Sequence, residues 1–319
     1  MNIFIAGHNG MVGSAILRRL ELEDKYNVIT CSRRELNLLN QSEVFSFLGD
    51  HKIQQIYLAA AKVGGIHAND TYRADFIYEN LEIQNNIISG AHLNNIDKLL
   101  FLGSSCIYPK LCDQPIKEEY LLSGPLEPSN EPYAIAKIAG IKLCESFNRQ
   151  YQRDYRCIMP TNLYGQNDNF HEENSHLIPA LIKKFSNAVL SGEKTVEIWG
   201  SGRAKREFLH VDDLAEGCIF FMSIDKELLS SFFEKNISHI NIGSGKDIEI
   251  IELAKIIQEI SNFKGELVLN KQMPDGTPQK VLDISKMKEL GWENKISLRK
   301  GLEDTYSWFQ DNRDNIKLR

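Results

Sequence analysis

Residues 2–20, NIFIAGHNGMVGSAILRRL, decide the fold that we expect for this chain. NIFIAG has the continuous apolar character of a buried strand, and the residues after Gly13 have the apolar spacing of an amphipathic helix. Between them, Gly7, Gly10 and Gly13 form a G-x-x-G-x-x-G variant of the dinucleotide fingerprint. These glycines allow the backbone to approach a pyrophosphate, which the helix N-terminus stabilises. We expect a dinucleotide-binding loop; a glycine-rich turn without a ligand is the alternative.

The alternation of strands and helices continues through the first 160 residues. Further short β-rich runs, each preceded by a periodic helical segment, are NVITC, QIYLAAA, KLLFLGSS and YRCIMPTNLYG. This α/β rhythm predicts a Rossmann-type, doubly wound parallel sheet with helices on both faces. The polar stretch GQNDNFHEENSH, residues 165–176, interrupts the rhythm and predicts a loop over a site.

The later part of the chain predicts a smaller C-terminal substrate-binding domain. HVDDLAEGCIFFMS and HINIGSG predict a capped helix and a strand that return to the main domain, whereas EIIELAKIIQEI predicts an amphipathic helix of the smaller one. We place the dinucleotide-binding domain at residues 1–162 plus about 208–243. The substrate-binding domain takes about 163–207 plus 244–319.

Composition and charge restrict the class of protein. The 319 residues are 42% hydrophobic and 25% charged, as in a globular protein with a full core. The net charge of -6 argues against nucleic acid as a partner. Six cysteines lie scattered without C-x-x-C pairs, so we expect neither a metal site nor a disulfide framework. Without a signal-peptide pattern or an apolar run of about 20 residues, we expect no membrane association and a cytoplasmic location.

The segment CSRREL, residues 31–36, follows the second strand, where NAD-binding proteins place an acidic residue on the ribose 2′-hydroxyl. Arg33 and Arg34 favour a 2′-phosphate there instead, so we expect NADP(H) as the cofactor, with Arg33 on the phosphate. Two solvated arginines at a strand end are the alternative. The other cofactor-binding residues that we expect lie in the first loop: Gly7, Gly10, Met11, Val12 and Gly13.

A tyrosine and a lysine lie four residues apart in NEPYAIAKIAG, residues 130–140. In a helix this spacing places Tyr133 and Lys137 on one face, where the ammonium favours the ionised phenol and makes Tyr133 a proton donor near neutral pH. The segment FLGSSCIYPK brings Ser104 to the carboxyl edge of the sheet, where it can meet Tyr133. An amphipathic helix with one solvated lysine is the alternative.

The order of these motifs resembles the extended short-chain dehydrogenase/reductase family. The glycine loop, Ser104 and the pair of Tyr133 and Lys137 occur in the order that this family has. The resemblance implies that Lys137 bridges the nicotinamide ribose and lowers the pKa of Tyr133. It also implies that Ser104 hydrogen-bonds the carbonyl oxygen of the substrate.

Longer motifs make the chain similar to the members of this family that convert GDP-4-keto-6-deoxy-D-mannose to GDP-L-fucose. They run from residue 2 to about 310 and include YLAAAKVGGI, MPTNLYG, NSHLIPALI, REFLHVDDLA and PDGTPQK. The resemblance implies a homodimer that uses NADPH to epimerise C3 and C5 and then reduce C4. It assigns proton transfer at C3 and C5 to Cys106 and His176. It places contacts to the nucleotide sugar on Asn162, Lys184, Trp199, Arg206 and Lys280.

Alternatives remain open at the level of residues and of function. By themselves, Cys106 would more often be a small buried hydrophobic residue and His176 a surface histidine. Another nucleotide-sugar epimerase or reductase would act on a different base or sugar. A non-catalytic NADP-binding sensor would have a disabled Ser/Tyr/Lys set, whereas Ser104, Tyr133 and Lys137 are all present.

Overall fold

A computed structural model of the chain describes residues 1–171, 174–232, 239–273 and 276–316. Its strands are β1 (Asn2–Ala6), β2 (Asn27–Thr30), β3 (Gln55–Leu58), β4 (Lys98–Leu102), β5 (Asp154–Pro160), β6 (Asn162–Tyr164), β7 (Thr195–Trp199), β8 (Lys205–His210), β9 (Ile240–Ile242), β10 (Asp247–Glu249), β11 (Glu266–Asn270) and β12 (Gln279–Lys280). Its helices are α1 (Met11–Leu20), α2 (Gln41–Asp50), α3 (Ile66–Thr71), α4 (Arg73–Leu93), α5 (Glu131–Tyr151), α6 (Leu177–Ser191), α7 (Val211–Ser223), α8 (Lys226–Phe232), α9 (Ile250–Ser261), α10 (Ser285–Glu289) and α11 (Leu298–Asn312).

The main sheet has six strands in the order β2, β1, β3, β4, β5, β9, and every neighbouring pair is parallel. This confirms the predicted Rossmann-type parallel sheet. The strand order reverses between β1 and β3, and doubly wound folds bind their ligands outside the carboxyl ends of the strands at such a point. The glycine loop follows β1 and Ser104 follows β4, so both lie at this edge.

Two apolar cores cover the two faces of the main sheet. Along β4, Leu99 and Phe101 enter the core beneath α2, α4 and α5, while Leu100 and Leu102 enter the core beneath α1 and α7. Successive side chains of a strand point to opposite faces, so a strand buried on both faces reads as a continuous apolar run. This explains why the strands of the main sheet could be recognised in the sequence as apolar runs.

The later residues form smaller sheets around a third apolar core. β8 pairs with β6, β10 and β12, and β7 pairs with β11. The third core takes buried side chains from α6, α9 and α11. β9 pairs with β5 and so returns to the main sheet, whereas β8 does not. The division into two domains at the boundaries given above stays a prediction.

Helix α5 lies unusually close to strand β4 at Gly140. A Cβ atom on Gly140 would lie 2.4 Å from a ring carbon of Phe101, so a side chain here would force the helix away. Pro132 in the first turn suits the start of a helix because its missing N–H has no partner there anyway. The close approach allows Tyr133 and Lys137 to reach the end of β4.

Candidate active site

The glycine loop has the tight turn that its spacing predicts. Gly7 has a φ of +93°, and its carbonyl oxygen accepts the N–H of Gly10 at 3.0 Å. A Cβ on Gly13 would lie 2.2 Å from the Gly7 oxygen, and one on Gly7 would lie 2.7 Å from the nitrogen of Ala60. Side chains at these two positions would therefore open the loop and separate it from the segment after β3.

The N-terminus of α1 has free backbone N–H groups that suit the binding of an anion. Gly10 caps this helix without a side-chain hydrogen bond, and the first turn, which contains Met11 and Val12, has no acidic residue. The first N–H groups of a helix carry partial positive charge and bind phosphate when no side chain caps them. His8, a residue that the sequence analysis did not single out, has a buried Nδ1 with no hydrogen-bond partner among the described residues. The loop therefore fits a dinucleotide diphosphate. The position of His8 between two glycines of the fingerprint was the sequence feature that could have identified it as a residue of this site.

Arg33 lies in the exposed segment after β2, at the same sheet edge as the glycine loop. Neighbouring Glu35 accepts the backbone N–H of Ser32 at 2.8 Å, which fixes the turn. No ion pair to Arg33 occurs within the described residues. The guanidinium is thus available to an added phosphate, because no hydrogen bond from its side chain is formed within the described part of the chain either.

Ser104 and Cys106 form a compact pair directly after β4. Ser104 begins a short 3₁₀ helix, Ser105–Ile107, and its Oγ accepts the Cys106 N–H at 3.4 Å and the Cys106 thiol at 3.1 Å. A hydrogen bond with Ser104 also opposes the rise that burial causes in the pKa of Tyr133, so the two hydroxyl groups lie close together, as predicted.

Lys137 is buried beside Tyr133. Only 3% of the lysine is exposed, its Nζ donates to the Leu102 carbonyl at 2.8 Å, and Nζ lies 5.7 Å from the centre of the Tyr133 ring. Burial lowers the pKa of Lys137 to about 8. The desolvated ammonium is therefore only partly charged in mildly alkaline solution.

The pKa of Tyr133 departs from the sequence expectation. Burial raises it, and the negative form of Cys106 raises it further, whereas lowering by Lys137 was expected. The expected direction fails here because desolvation of the buried phenolate outweighs the one opposing influence, a hydrogen bond with Ser104. The consequence is a phenol that keeps its proton near neutral pH, as a proton donor must.

Lys280 links the two groups expected to transfer protons. Burial raises the pKa of the Cys106 thiol, and the opposing influences include Lys280, Ser104 and Lys137. His176 is an exposed residue, but desolvation by the surrounding protein and then the positive charge of Lys280 lower the pKa of its imidazole. One ammonium therefore acts on both groups, favouring the thiolate of Cys106 and the neutral form of His176.

His176 caps the N-terminus of α6, and a backbone contact fixes the segment before it. The Gly65 N–H donates to the Asn174 carbonyl at 2.9 Å, and a Cβ on Gly65 would lie 2.5 Å from the Ser175 carbonyl oxygen. Asn69 supports the turn by donating to the carbonyls of Gly64 and Gly65. The segment after β3 thus holds the loop that carries His176. Glu172 and Glu173 of this loop lie outside the described residues.

The residues expected to bind the nucleotide sugar fall into two groups. Arg206 on β8 and Lys280 on β12 occupy paired positions of adjacent strands, and Asn162 donates to the carbonyl of Glu207 at 2.8 Å. Lys184 donates to the Glu197 carbonyl at 2.8 Å, and its Nζ lies 5.9 Å from the ring centre of Trp199. In the expected PDGTPQK motif, Pro274 and Asp275 lie outside the described residues.

Two further searches cover the described part of the chain. No group of three or more His, Cys, Asp and Glu side chains there is arranged to hold a metal ion. None of the helices in that part combines the length and the apolar character needed to cross a membrane.

Comparison with known proteins yields matches along the whole chain. Residues 3–243 match the model of the NAD dependent epimerase/dehydratase family. The chain is 55% identical to GDP-L-fucose synthase from Escherichia coli (strain K12) over 315 residues, covering 99% of this chain and 98% of that protein. It is 52% identical to GDP-L-fucose synthase 1 from Arabidopsis thaliana, covering 97% and 93%. The fold matches a GDP-D-glycero-L-gluco-heptose synthase from Campylobacter jejuni, solved in the presence of NADPH, with a TM-score of 0.90, 38% identity and coverage of 97% and 98%.

Proposed function

This chain belongs to the NAD dependent epimerase/dehydratase family, and on that premise we propose that it converts GDP-4-keto-6-deoxy-D-mannose to GDP-L-fucose with NADPH. The reaction comprises epimerisation at C3 and C5 and reduction at C4. The observation that carries the proposal is the meeting of Ser104, Cys106, Tyr133 and Lys137 at the end of β4. Identity above 50% along nearly the whole chain to two GDP-L-fucose synthases supports the choice of substrate.

The cofactor is held by the glycine loop, by Arg33 and by Lys137. The N-terminus of α1, where no side chain caps the helix, would bind the diphosphate together with the residues Gly7, Gly10, Met11, Val12 and Gly13. Arg33 takes the 2′-phosphate through charge-assisted hydrogen bonds. Lys137, on α5 beside the end of β4, would bind the nicotinamide ribose. NADPH, when bound, supplies the hydride that reduces C4.

Cys106 and His176 move the protons of the two epimerisations. The C4 ketone of the substrate acidifies the C–H bonds at C3 and C5, so one protein group can remove a proton and another can return one from the opposite face. Burial keeps the proton on the Cys106 thiol, and burial with the charge of Lys280 keeps the imidazole of His176 neutral. At one carbon the imidazole can therefore accept a proton while the thiol returns one; at the other carbon the resulting thiolate, which Lys280 favours, accepts a proton and the imidazolium returns one. These roles rest on the family resemblance and on the shared influence of Lys280.

Tyr133 and Ser104 complete the reduction. Tyr133 keeps its proton because burial raises its pKa, and it gives this proton to the C4 oxygen as the ketone becomes an alcohol. Ser104 donates a hydrogen bond to the same oxygen. The positive charge of Lys137, whose pKa lies at about 8, stabilises the phenolate that remains.

Arg206 and Lys280 neutralise the diphosphate of the substrate. They occupy paired positions of two parallel strands, and side chains at such positions project to the same face. Asn162 contributes from the neighbouring strand β6, which also pairs with β8. Trp199 is 59% exposed and has Lys184 beside it, so it offers a stacking surface with a cation for the rest of the nucleotide.

We also propose that the enzyme is a homodimer through α4 and α5. These helices pack against each other on one face of the main sheet. Large apolar side chains remain exposed on both: Tyr78 at 61%, Leu93 at 62%, Ile135 at 42% and Tyr151 at 47%. Their burial against a second copy would be favourable. Light scattering of the purified protein measures the stoichiometry directly.

Turnover of the proposed substrate is the direct test of function. Purified protein is mixed with NADPH and GDP-4-keto-6-deoxy-D-mannose, and the loss of nicotinamide absorbance is followed together with the sugar product. The same assay with UDP- and dTDP-linked 4-keto-6-deoxy sugars separates this function from that of a related nucleotide-sugar enzyme. Binding of NADPH without oxidation in any of these mixtures would instead favour a cofactor sensor.

Arg33→Ala is expected to weaken NADPH binding by about tenfold or more, because the 2′-phosphate loses a charged partner. The affinity for NADH, which lacks this phosphate, should change little. Fluorescence titration of both cofactors measures the two effects in one protein. An equal loss for both cofactors would assign Arg33 a structural role in the turn after β2.

Gly65→Ala is expected to displace His176, because the added methyl group would lie 2.5 Å from the Ser175 carbonyl oxygen. A displacement of about 1 Å at a reacting group can lower a rate by about a hundredfold. Exchange of substrate protons in D₂O should therefore fall at the position that His176 serves and persist at the other. Mass spectrometry and proton NMR of the recovered sugar locate the exchange. Unchanged exchange at both carbons would show that this backbone contact does not set the position of His176.

A further inference from the structure

Glu207, the residue after Arg206 on β8, is a carboxylate with no solvent contact. Its exposed fraction is 0%, its Oε1 accepts the Gly245 N–H at 2.7 Å and its Oε2 accepts the Leu282 N–H at 2.8 Å. A Cβ on Gly243 would lie 2.1 Å from Oε1, so the turn after β9 is shaped around this side chain. Burying a carboxylate is costly unless hydrogen bonds satisfy it, and here each oxygen has one.

This carboxylate ties down the strand that carries Lys280. β12 consists of Gln279 and Lys280 alone, and it pairs with β8 in a register that sets Lys280 beside Arg206. A two-residue strand has little stability of its own. Leu282, whose N–H binds Glu207, lies two residues after Lys280, so the carboxylate fixes the chain immediately beyond the strand. Gln114 and Ile116 hold Val281 from the other side.

The position of Lys280 matters because many groups of the site face it. The side chains within its electrostatic reach are Cys106, Cys112, His176, Arg206 and Glu207. Cys106 in turn faces Tyr133 and Lys137 as well as Lys280. A shift of β12 would therefore change both the charge offered to a diphosphate and the ionisation of the thiol. Burial lowers the pKa of Lys280, and the negative charge of Glu207 is among the influences that oppose this lowering.

We infer that Glu207 is a positioning residue of the reaction: it fixes Lys280 beside Arg206, where one ammonium serves the substrate diphosphate and Cys106 together. The inference rests on the proposed function. Glu207 acts through Lys280 and the backbone of β12, without touching the substrate.

The testing variant is Glu207→Gln, which keeps the shape of the side chain but replaces one acceptor oxygen with an NH₂ group. One of the two backbone N–H groups then faces a donor, and β12 is no longer fixed on that side. We expect KM for the GDP-sugar to rise about tenfold, as for loss of a hydrogen bond to a charged group. Alkylation of Cys106 by iodoacetamide should shift to higher pH, since a displaced Lys280 no longer favours the thiolate. NADPH affinity should remain unchanged.

Asp213→Asn provides a matched control. Asp213 is 2% exposed, and its two oxygens accept the N–H groups of Lys295 at 3.1 Å and Ile296 at 2.9 Å. The variant thus makes the same chemical change at a second buried carboxylate, in the first turn of α7. We expect Asp213→Asn to lose about as much thermal stability as Glu207→Gln. Its KM for the GDP-sugar and the pH profile of Cys106 alkylation should remain those of the parent protein.

A double variant, Glu207→Gln with Lys280→Met, decides whether the two residues act together. If Glu207 works through Lys280, the double variant will match Lys280→Met alone in KM and in the alkylation profile. Additive effects, or a Glu207→Gln protein with parental KM and alkylation, would overturn the inference while the parent still oxidises NADPH with the GDP-sugar. A parent protein that does not turn over this substrate would overturn the proposed function, and the inference with it.

Discussion

Replacing Tyr133 with Phe is expected to abolish NADPH oxidation by GDP-4-keto-6-deoxy-D-mannose while C3 and C5 continue to exchange protons with the solvent. The change removes only the phenolic proton that C4 reduction requires, a loss on the order of 10²- to 10⁴-fold in rate. Cys106 and His176 remain, and the ketone still acidifies the carbons beside it. Nicotinamide absorbance in D₂O, followed by mass spectrometry of the recovered sugar, measures both outcomes in one experiment.

The Tyr133→Phe variant contains its own structural control. The ring of Tyr133 lies edge-on to Phe76 with the centres 6.3 Å apart, and phenylalanine keeps this contact. NADPH affinity and thermal stability should therefore stay close to those of the parent. NADPH oxidation at the parental rate would remove Tyr133 from the role of proton donor. Loss of proton exchange together with oxidation would instead indicate that the hydroxyl places the substrate.

Local parts of the site were predictable because the signal was local. The turn of the glycine loop depends on positions that have no room for a Cβ atom. Glycines at a spacing of three residues indicate such positions directly in the sequence. Tyr133 and Lys137 share a helix face by their spacing, and the structure places them side by side. The strands of the main sheet were visible because burial on both faces produces unbroken apolar runs.

The contacts that connect distant segments were not predictable from one sequence. Gly65 meets Asn174 across more than a hundred residues, and neither residue belongs to a periodic pattern. β12 is only two residues long, too short to show the alternation of apolar and polar residues that indicates a strand. The pairing of Lys280 with Arg206 therefore could not be predicted from the sequence. Nothing in the sequence distinguishes Glu207 from the many exposed carboxylates of the chain.

The direction of a pKa shift was equally beyond the sequence. Spacing correctly indicated that Lys137 lies near Tyr133, but the pKa depends on the balance between this charge and desolvation of both groups. Burial decides the balance, raising the pKa of Tyr133 and lowering that of Lys137 to about 8. Burial is a property of the whole fold, since it depends on how closely α5 approaches β4.

Replacing Cys106 with Ser is expected to suppress the proton exchange that Tyr133→Phe leaves intact. A serine hydroxyl ionises far less readily than a thiol, so neither Lys280 nor Lys137 can make it a useful base. We expect deuterium uptake at the carbon served by Cys106 to fall on the order of 10²-fold or more. Conversion to GDP-L-fucose falls with it, because an unepimerised sugar cannot give this product. Serine retains a hydrogen bond to Ser104, so the short helix after β4 should keep its shape.

The pH dependence of exchange in the parent protein gives Cys106 a second signature. Burial holds the pKa of its thiol above the ordinary value, so the thiolate, and with it the exchange rate, should increase as the pH rises toward the alkaline range. In Cys106→Ser this alkaline increase should disappear while NADPH affinity is retained. Undiminished deuterium uptake at both C3 and C5 in the variant would exclude Cys106 from proton transfer. Uptake lost at one carbon and kept at the other would divide the two epimerisations between Cys106 and His176.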